Sequence, residues 1–192
     1  MPPLNIANLI TICRILLAPV LLFLAWQGHE RLFLGCLVAS LVSDIVDGQI
    51  ARRFGLASPL GARLDSWADF ATYLSVPIAA YRLRPDLISS ERVAFFTTIA
   101  CYLVPVSIGF LKFRCLTSYH TRMARVSAYL VGASVVVLFA HGPTLPFRIA
   151  VGVLVIAEIE EIAITLILPA PQSNVRSFRT ARELLRASRA SA

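Results

Sequence analysis

Asp44 and Asp47 stand three residues apart, Asp65 and Asp69 four apart, and all four fall in otherwise apolar stretches. On a helix those spacings put each pair on one face. A charged side chain at the centre of a lipid-embedded helix costs about 2.5 to 3.5 kcal/mol on insertion scales, so such acids mark function by default. Four neighbouring carboxylates also repel one another unless cations neutralise them. Hard oxygen ligands suit Mg2+ or Mn2+, and two such ions about 4 Å apart can hold a phosphoryl group while stabilising the attacking and leaving oxygens. The pattern therefore predicts a metal centre formed by Asp44, Asp47, Asp65 and Asp69. Buried ion pairing with Arg52, Arg53 and Arg63 is the competing reading, but such pairs rarely return their desolvation cost.

The surrounding residues fit a site that admits a phosphate. Gly48 lies four residues after Asp44 and Gly61 four before Asp65, on the same helical faces, leaving room for a bulky group near both backbones. Arg52, one turn beyond Gly48, adds a planar, permanently charged donor. Glycine in membrane helices also serves plain close packing. Ser58 and Pro59 predict the start of the second acidic helix, because serine caps free backbone donors and proline suits the first helical position. The short link from Arg53 to Pro59 predicts that the two acidic helices are antiparallel neighbours with opposed faces.

The elements that must position these acids are membrane helices. Of 192 residues, 57% are hydrophobic and 15% charged, and the mean hydropathy is +0.74, well outside the range of ordinary soluble domains. Apolar runs at Ile6 to Trp26, Leu32 to Ile50, Leu60 to Tyr81, Val93 to Leu111, Val126 to Ala140 and Phe147 to Leu168 approach the roughly 20 residues a bilayer needs. The expected fold is all-α: a six-helix transmembrane bundle over residues 1–170, followed by a basic tail over 171–192. The first run lacks a basic start and a clear cleavage site, so it reads as a mature helix and not as a signal peptide. Cys13, Cys36, Cys101 and Cys115 are scattered and read as packing residues.

The net charge of +7 is dispersed among helix ends, which argues against nucleic acid and for anionic lipid or phosphorylated partners. Arg52, Arg53, Arg63, Lys112, Arg114, Arg122, Arg125 and the tail arginines gather on one side, predicted to be cytoplasmic. That places the acidic site at the cytoplasmic side of the membrane. In the tail, Val175, Phe178, Ala181, Leu184 and Leu185 recur at nearly helical spacing between Arg176, Arg179, Arg182 and Arg186. An interfacial amphipathic helix and a frayed terminus both fit that pattern.

Asp44 to Asp69 reads DIVDGQIARRFGLASPLGARLDSWAD and fills every fixed position of DxxDGxxARx8GxxxDxxxD. It resembles the signature of the CDP-alcohol phosphatidyltransferase family. The opening NIANLITICR resembles the PNxLTxxR start of phosphatidylglycerophosphate synthase-like members, matching at Asn8, Thr11 and Arg14, with Ala7 in place of proline. Arg14 also reads as a snorkelling interfacial arginine. The resemblance implies displacement at the β-phosphorus of CDP-diacylglycerol by an acceptor alcohol, with CMP leaving. It implies that Asp44, Asp47 and Asp65 ligate metal and that Asp69 is a ligand or the general base. Gly48, Ala51, Arg52 and Gly61 would line the CDP site, with Asn8, Thr11 and Arg14 in support. A homodimer in the bacterial inner membrane is the implied setting.

A second basic cluster, KFRCLTSYHTRMAR from Lys112 to Arg125, offers Lys112, Arg114, His120 and Arg122 for an acceptor phosphate. Positive-inside anchoring explains the same charges. Several phosphatidylglycerophosphate synthases carry a GKxxT-like stretch there, whereas this chain has Phe110 to Arg114. Glycerol 3-phosphate is the expected acceptor, with inositol phosphate, phosphatidylglycerol or another alcohol as alternatives. Glu158 and Glu161 lie one turn apart in the last span, paired with Arg14 or Arg125 or protonated, and Glu160 has no assigned role. A divalent-cation transporter is the rival class; it would place its acids at the midplane of broken helices.

Overall fold

A computed structural model describes residues 5–56, 58–114, 121–170, 175 and 177–190. Among the described residues all regular structure is helical: α1 (Ile6–Trp26), α2 (Glu30–Arg53), α3 (Pro59–Leu83), α4 (Pro85–Ser90), α5 (Arg92–Phe113), α6 (Arg122–Phe139), α7 (Leu145–Ile167) and α8 (Phe178–Ala190). The six apolar runs correspond to α1, α2, α3, α5, α6 and α7. By length and composition α1, α2, α5 and α6 are able to cross a membrane. Helices α3 and α7 are as long, at 25 and 23 residues, and carry four charged residues each: Arg63, Asp65, Asp69 and Arg82 on α3, and Arg148 with three glutamates on α7. Leu9, Leu16, Phe23 and Trp26 of α1 are among many large apolar side chains left exposed, as expected where lipid and not water is the neighbour. The chain divides into two compact units, Met1–Ser90 and Glu91–Ala192.

The first unit is organised by α1. Its buried positions Ala7, Thr11, Arg14, Ala18, Leu21 and Ala25 repeat every three or four residues and form one stripe. With that stripe α1 packs against both α2 and α3, whereas α2 and α3 make no comparable contact among the described residues. The expectation that the two acidic helices are direct neighbours is thus corrected: α1 is the helix both of them pack on. The reason is electrostatic as well as steric, since two acidic faces pressed together would repel, and α1 brings the cation between them.

Local chemistry sets the ends. Ser58 Oγ accepts from Gly61 N at 3.0 Å and starts α3. Asn5 caps α1 by accepting from Asn8 N at 2.8 Å, and its own amide donates to the Leu56 carbonyl at 3.0 Å. That second bond ties the α2–α3 turn to the start of α1. The turn itself closes with Leu56 N donating to the Ala51 carbonyl at 2.9 Å, and Gly55 at φ +64° supplies the left-handed residue such a helix end requires. Arg84 at the end of α3 reaches Glu30 at the start of α2, 3.5 Å away, so α1 and α3 run parallel and α2 runs against both.

The second unit is organised by α7, which packs on α5, α6 and α8. Phe95 and Phe147 pack with tilted rings at 5.0 Å between centroids, and Arg148 grips the buried Glu91 with two bonds of 2.9 and 2.8 Å. That guanidinium holds the Glu91 carboxyl below its usual range. At the opposite ends of the same two helices, Lys112 Nζ donates to the carbonyls of Thr165, Leu166 and Leu168 at 2.9, 2.7 and 2.9 Å. Contacts at both ends make α5 and α7 parallel. The three carbonyls are those a helix terminus leaves without partners. Replacing Lys112 with methionine is therefore expected to lower stability by about 1 to 2 kcal/mol, read as an earlier thermal transition in detergent. An unchanged transition with a raised acceptor Michaelis constant would instead make Lys112 a binding residue.

Candidate active site

The helix directions bring one end of each of three helices together. Asn8, Thr11 and Arg14 lie in the first half of α1, Asp44 and Asp47 in the second half of α2, and Asp65 and Asp69 in the first half of α3. Single carboxylate oxygens of Asp44, Asp47 and Asp65 all lie within 4.8 Å of one another. Asp69 stands one turn further along α3, outside that group of three.

Arg14 is the centre of the arrangement. Its side chain is 2% exposed, and its two terminal nitrogens contact all four acids. One donates to Asp44 and lies 3.5 Å from Asp47; the other donates to Asp65 at 3.2 Å and to Asp69 at 2.8 Å. A guanidinium suits this because its donors spread in one plane and it stays charged at any physiological pH. The snorkelling reading of Arg14 is corrected, since the buried head group points into the acid cluster. Of the partners in the competing ion-pair reading, Arg53 and Arg63 are exposed and the Arg52 side chain lies outside the described residues; the cation that contacts all four acids comes from α1.

The acids differ in setting. Asp47 is 5% exposed, against 36% for Asp44 and 41% each for Asp65 and Asp69. Thr11 Oγ1 lies 2.8 Å from Asp47 Oδ2 and 3.0 Å from the Ala7 carbonyl, so its proton serves either acceptor. The buried acid thus has a hydroxyl as well as a cation beside it. Asn8 is buried too, and its amide nitrogen has no partner among the described residues. An added Cβ on Gly61 would meet Asn8 Oδ1 at 2.8 Å and Ser58 Oγ at 3.2 Å, so Gly61 lets α1 and α3 approach at the site. Gly48 and Ala51 lie on the last turns of α2, with Arg52 between Ala51 and the helix end.

The acceptor candidates are placed differently. Lys112 is committed to the α7 terminus, and Arg114 sits exposed at the α5 C-cap with φ 56°. Arg122 opens α6, exposed, behind the Thr121 cap. His120 and Cys115 lie outside the described residues. Cys13, Cys36 and Cys101 are free thiols. Sequence reasoning missed Asn5 and Gly55, although an asparagine before an apolar run and a glycine after one are ordinary helix start and stop signals. Glu160, unassigned from sequence, accepts from Phe178 N at 2.9 Å and caps α8.

A model of the CDP-alcohol phosphatidyltransferase family matches residues 4–171, most of the chain. The chain belongs to this family. Three curated relatives resemble shorter stretches. A probable cardiolipin synthase (CMP-forming) of Drosophila melanogaster is 39% identical over 66 residues, 34% of this chain and 20% of that protein. A putative cardiolipin synthase of Mycobacterium tuberculosis is 36% identical over 76 residues, 39% and 36% of the two chains. A CDP-diacylglycerol--glycerol-3-phosphate 3-phosphatidyltransferase of Pseudomonas fluorescens is 35% identical over 68 residues, 34% and 35%. The chain thus spans about a third of these relatives' length or less. No solved structure matches it.

Proposed function

We propose that this chain transfers a phosphatidyl group from CDP-diacylglycerol to an acceptor alcohol and releases CMP. What supports this above all is the convergence of Asp44, Asp47 and Asp65 oxygens within 4.8 Å on the family signature, with Asp69 one turn away. An all-carboxylate donor set fits Mg2+ or Mn2+. Asp44, Asp47 and Asp65, with Asp69 at the edge, would hold one or two such ions. Bound there, divalent cations neutralise charge on the phosphoryl oxygens.

The chain's own residues do the rest. Gly48, Ala51, Arg52 and Gly61 line the CDP site, and the Asn8 amide nitrogen offers it a donor. Arg14 and Thr11 hold the carboxylates in place. Asp69 takes the proton of the acceptor hydroxyl as its oxygen bonds to the β-phosphorus and the phosphorus–oxygen bond to CMP breaks. Phosphoryl transfer asks a protein mainly for positioning and charge neutralisation, which is what this set of residues supplies.

Glycerol 3-phosphate is the first acceptor to test, as in the Pseudomonas fluorescens relative's name. Phosphatidylglycerol is the second reading. Two relatives are named as cardiolipin synthases, and Lys112 is spent on α7 carbonyls and so removed from an acceptor phosphate site. In this reading α3 and α7 also cross the bilayer, giving six spans, the site faces the cytoplasm of a bacterial inner membrane, and the enzyme works as a homodimer. Purified protein with CDP-diacylglycerol, Mg2+ or Mn2+ and each alcohol in turn should release CMP with one acceptor and stop when the metal is chelated. Failure to release CMP with any of them, or release that survives chelation, would overturn the reading.

A further inference from the structure

Among the described residues, one face of α8 docks the helix and the other is exposed. Ala181 is fully buried, and Val175 just ahead of the helix is 1% exposed, both clustered with Ile164 and Leu168 of the α7 end; Phe113, the last residue of α5, packs against the same cluster. Glu160 caps the helix from inside α7. On the remaining face Arg179, Arg182 and Arg186 recur at spacings of three and four, all exposed, and with Phe178 and Glu183 they line a shallow groove.

We propose that this face seats the anionic headgroups of the surrounding bilayer. Depth argues for it. Glu160 lies seven residues before the last residue of α7, a rise of about 10 Å, so its bond to Phe178 holds the start of α8 beside the α7 shaft and not out beyond it. Phe113 in the same cluster ends α5, a helix long and apolar enough to span. Interfacial helices sit about 5 to 10 Å into the headgroup boundary, the level these two contacts define. Charge argues for it too, because three guanidinium groups against the single Glu183 carboxylate leave the face positive. The long side-chain stems let the charged heads reach the headgroup layer from a helix packed on protein.

The full chain should be reconstituted in nanodiscs of phosphatidylcholine alone and of phosphatidylcholine with about a third phosphatidylglycerol, a strongly anionic surface. Hydrogen exchange of the α8 amides is expected to slow in the anionic discs only. Replacing Arg179, Arg182 and Arg186 together with glutamine should erase the difference, while the triple lysine variant keeps it. Titration of short-chain phosphatidylglycerol into the detergent-solubilised chain should show a loss of about fivefold per arginine removed, roughly a hundredfold for three. The proposal is overturned if the glutamine variant matches the wild type in either measurement. It is also overturned if the lysine variant loses selectivity, or if inorganic phosphate at equal concentration protects α8 as well as lipid does.

Discussion

Asp69→Asn should lower turnover by about a thousandfold, within the range general-base catalysis contributes, while affinity for the CDP-alcohol stays within about a factor of two. Asparagine keeps the size and one acceptor oxygen of aspartate but cannot take up a proton. Asp69 stands outside the three acids whose oxygens approach within 4.8 Å, and its Oδ1 is held by Arg14 at 2.8 Å. Its side chain is 41% exposed, open to an incoming hydroxyl. The substitution should therefore spare the three-acid group and strike the proton transfer. CMP release under saturating acceptor gives the turnover, and protection by CMP against thermal unfolding gives the nucleotide affinity. Near-normal turnover would remove Asp69 as the base; loss of nucleotide affinity in step with turnover would recast it as a metal ligand.

Arg14→Gln should cost about 3 kcal/mol in metal-free buffer, the low end of the range for breaking a buried charge pair. The low end applies because three of the four acids are at least a third exposed and solvent screens what remains. Removing the guanidinium takes from the four carboxylates the cation they share, so Mg2+ or Mn2+ should restore much of the lost stability by taking over the neutralisation. The same addition should move the wild-type transition much less. Arg14→Lys should recover only part of the loss, because one ammonium cannot face four acids on two helices as a planar fork does. Thermal unfolding of each variant with chelator and with metal reads all of this. A glutamine variant as stable as the wild type in chelator would show that the acids tolerate one another unaided.

Much of this was written locally in the chain. The spacings of three and four put Asp44 with Asp47 and Asp65 with Asp69, and Ser58 with Pro59 marked where α3 begins, because helical periodicity and capping act within a few residues. The periodic tail residues Phe178, Ala181 and Leu185 became α8 for the same reason. The family signature from Asp44 to Asp69 needed no structure to be legible.

What the tertiary structure decided lies across long separations. Arg14 meets acids 30 to 55 residues away, Lys112 meets carbonyls 53 to 56 residues away, and Glu160 caps a helix 18 residues on. No periodicity encodes such partners; they follow from which helix packs on which. Sequence placed four acids on two faces and left their counter-charge open among several arginines. Packing α1 against both acidic helices chose Arg14, because neighbouring carboxylates repel one another unless a cation lies among them, and α1 is the helix that delivers one.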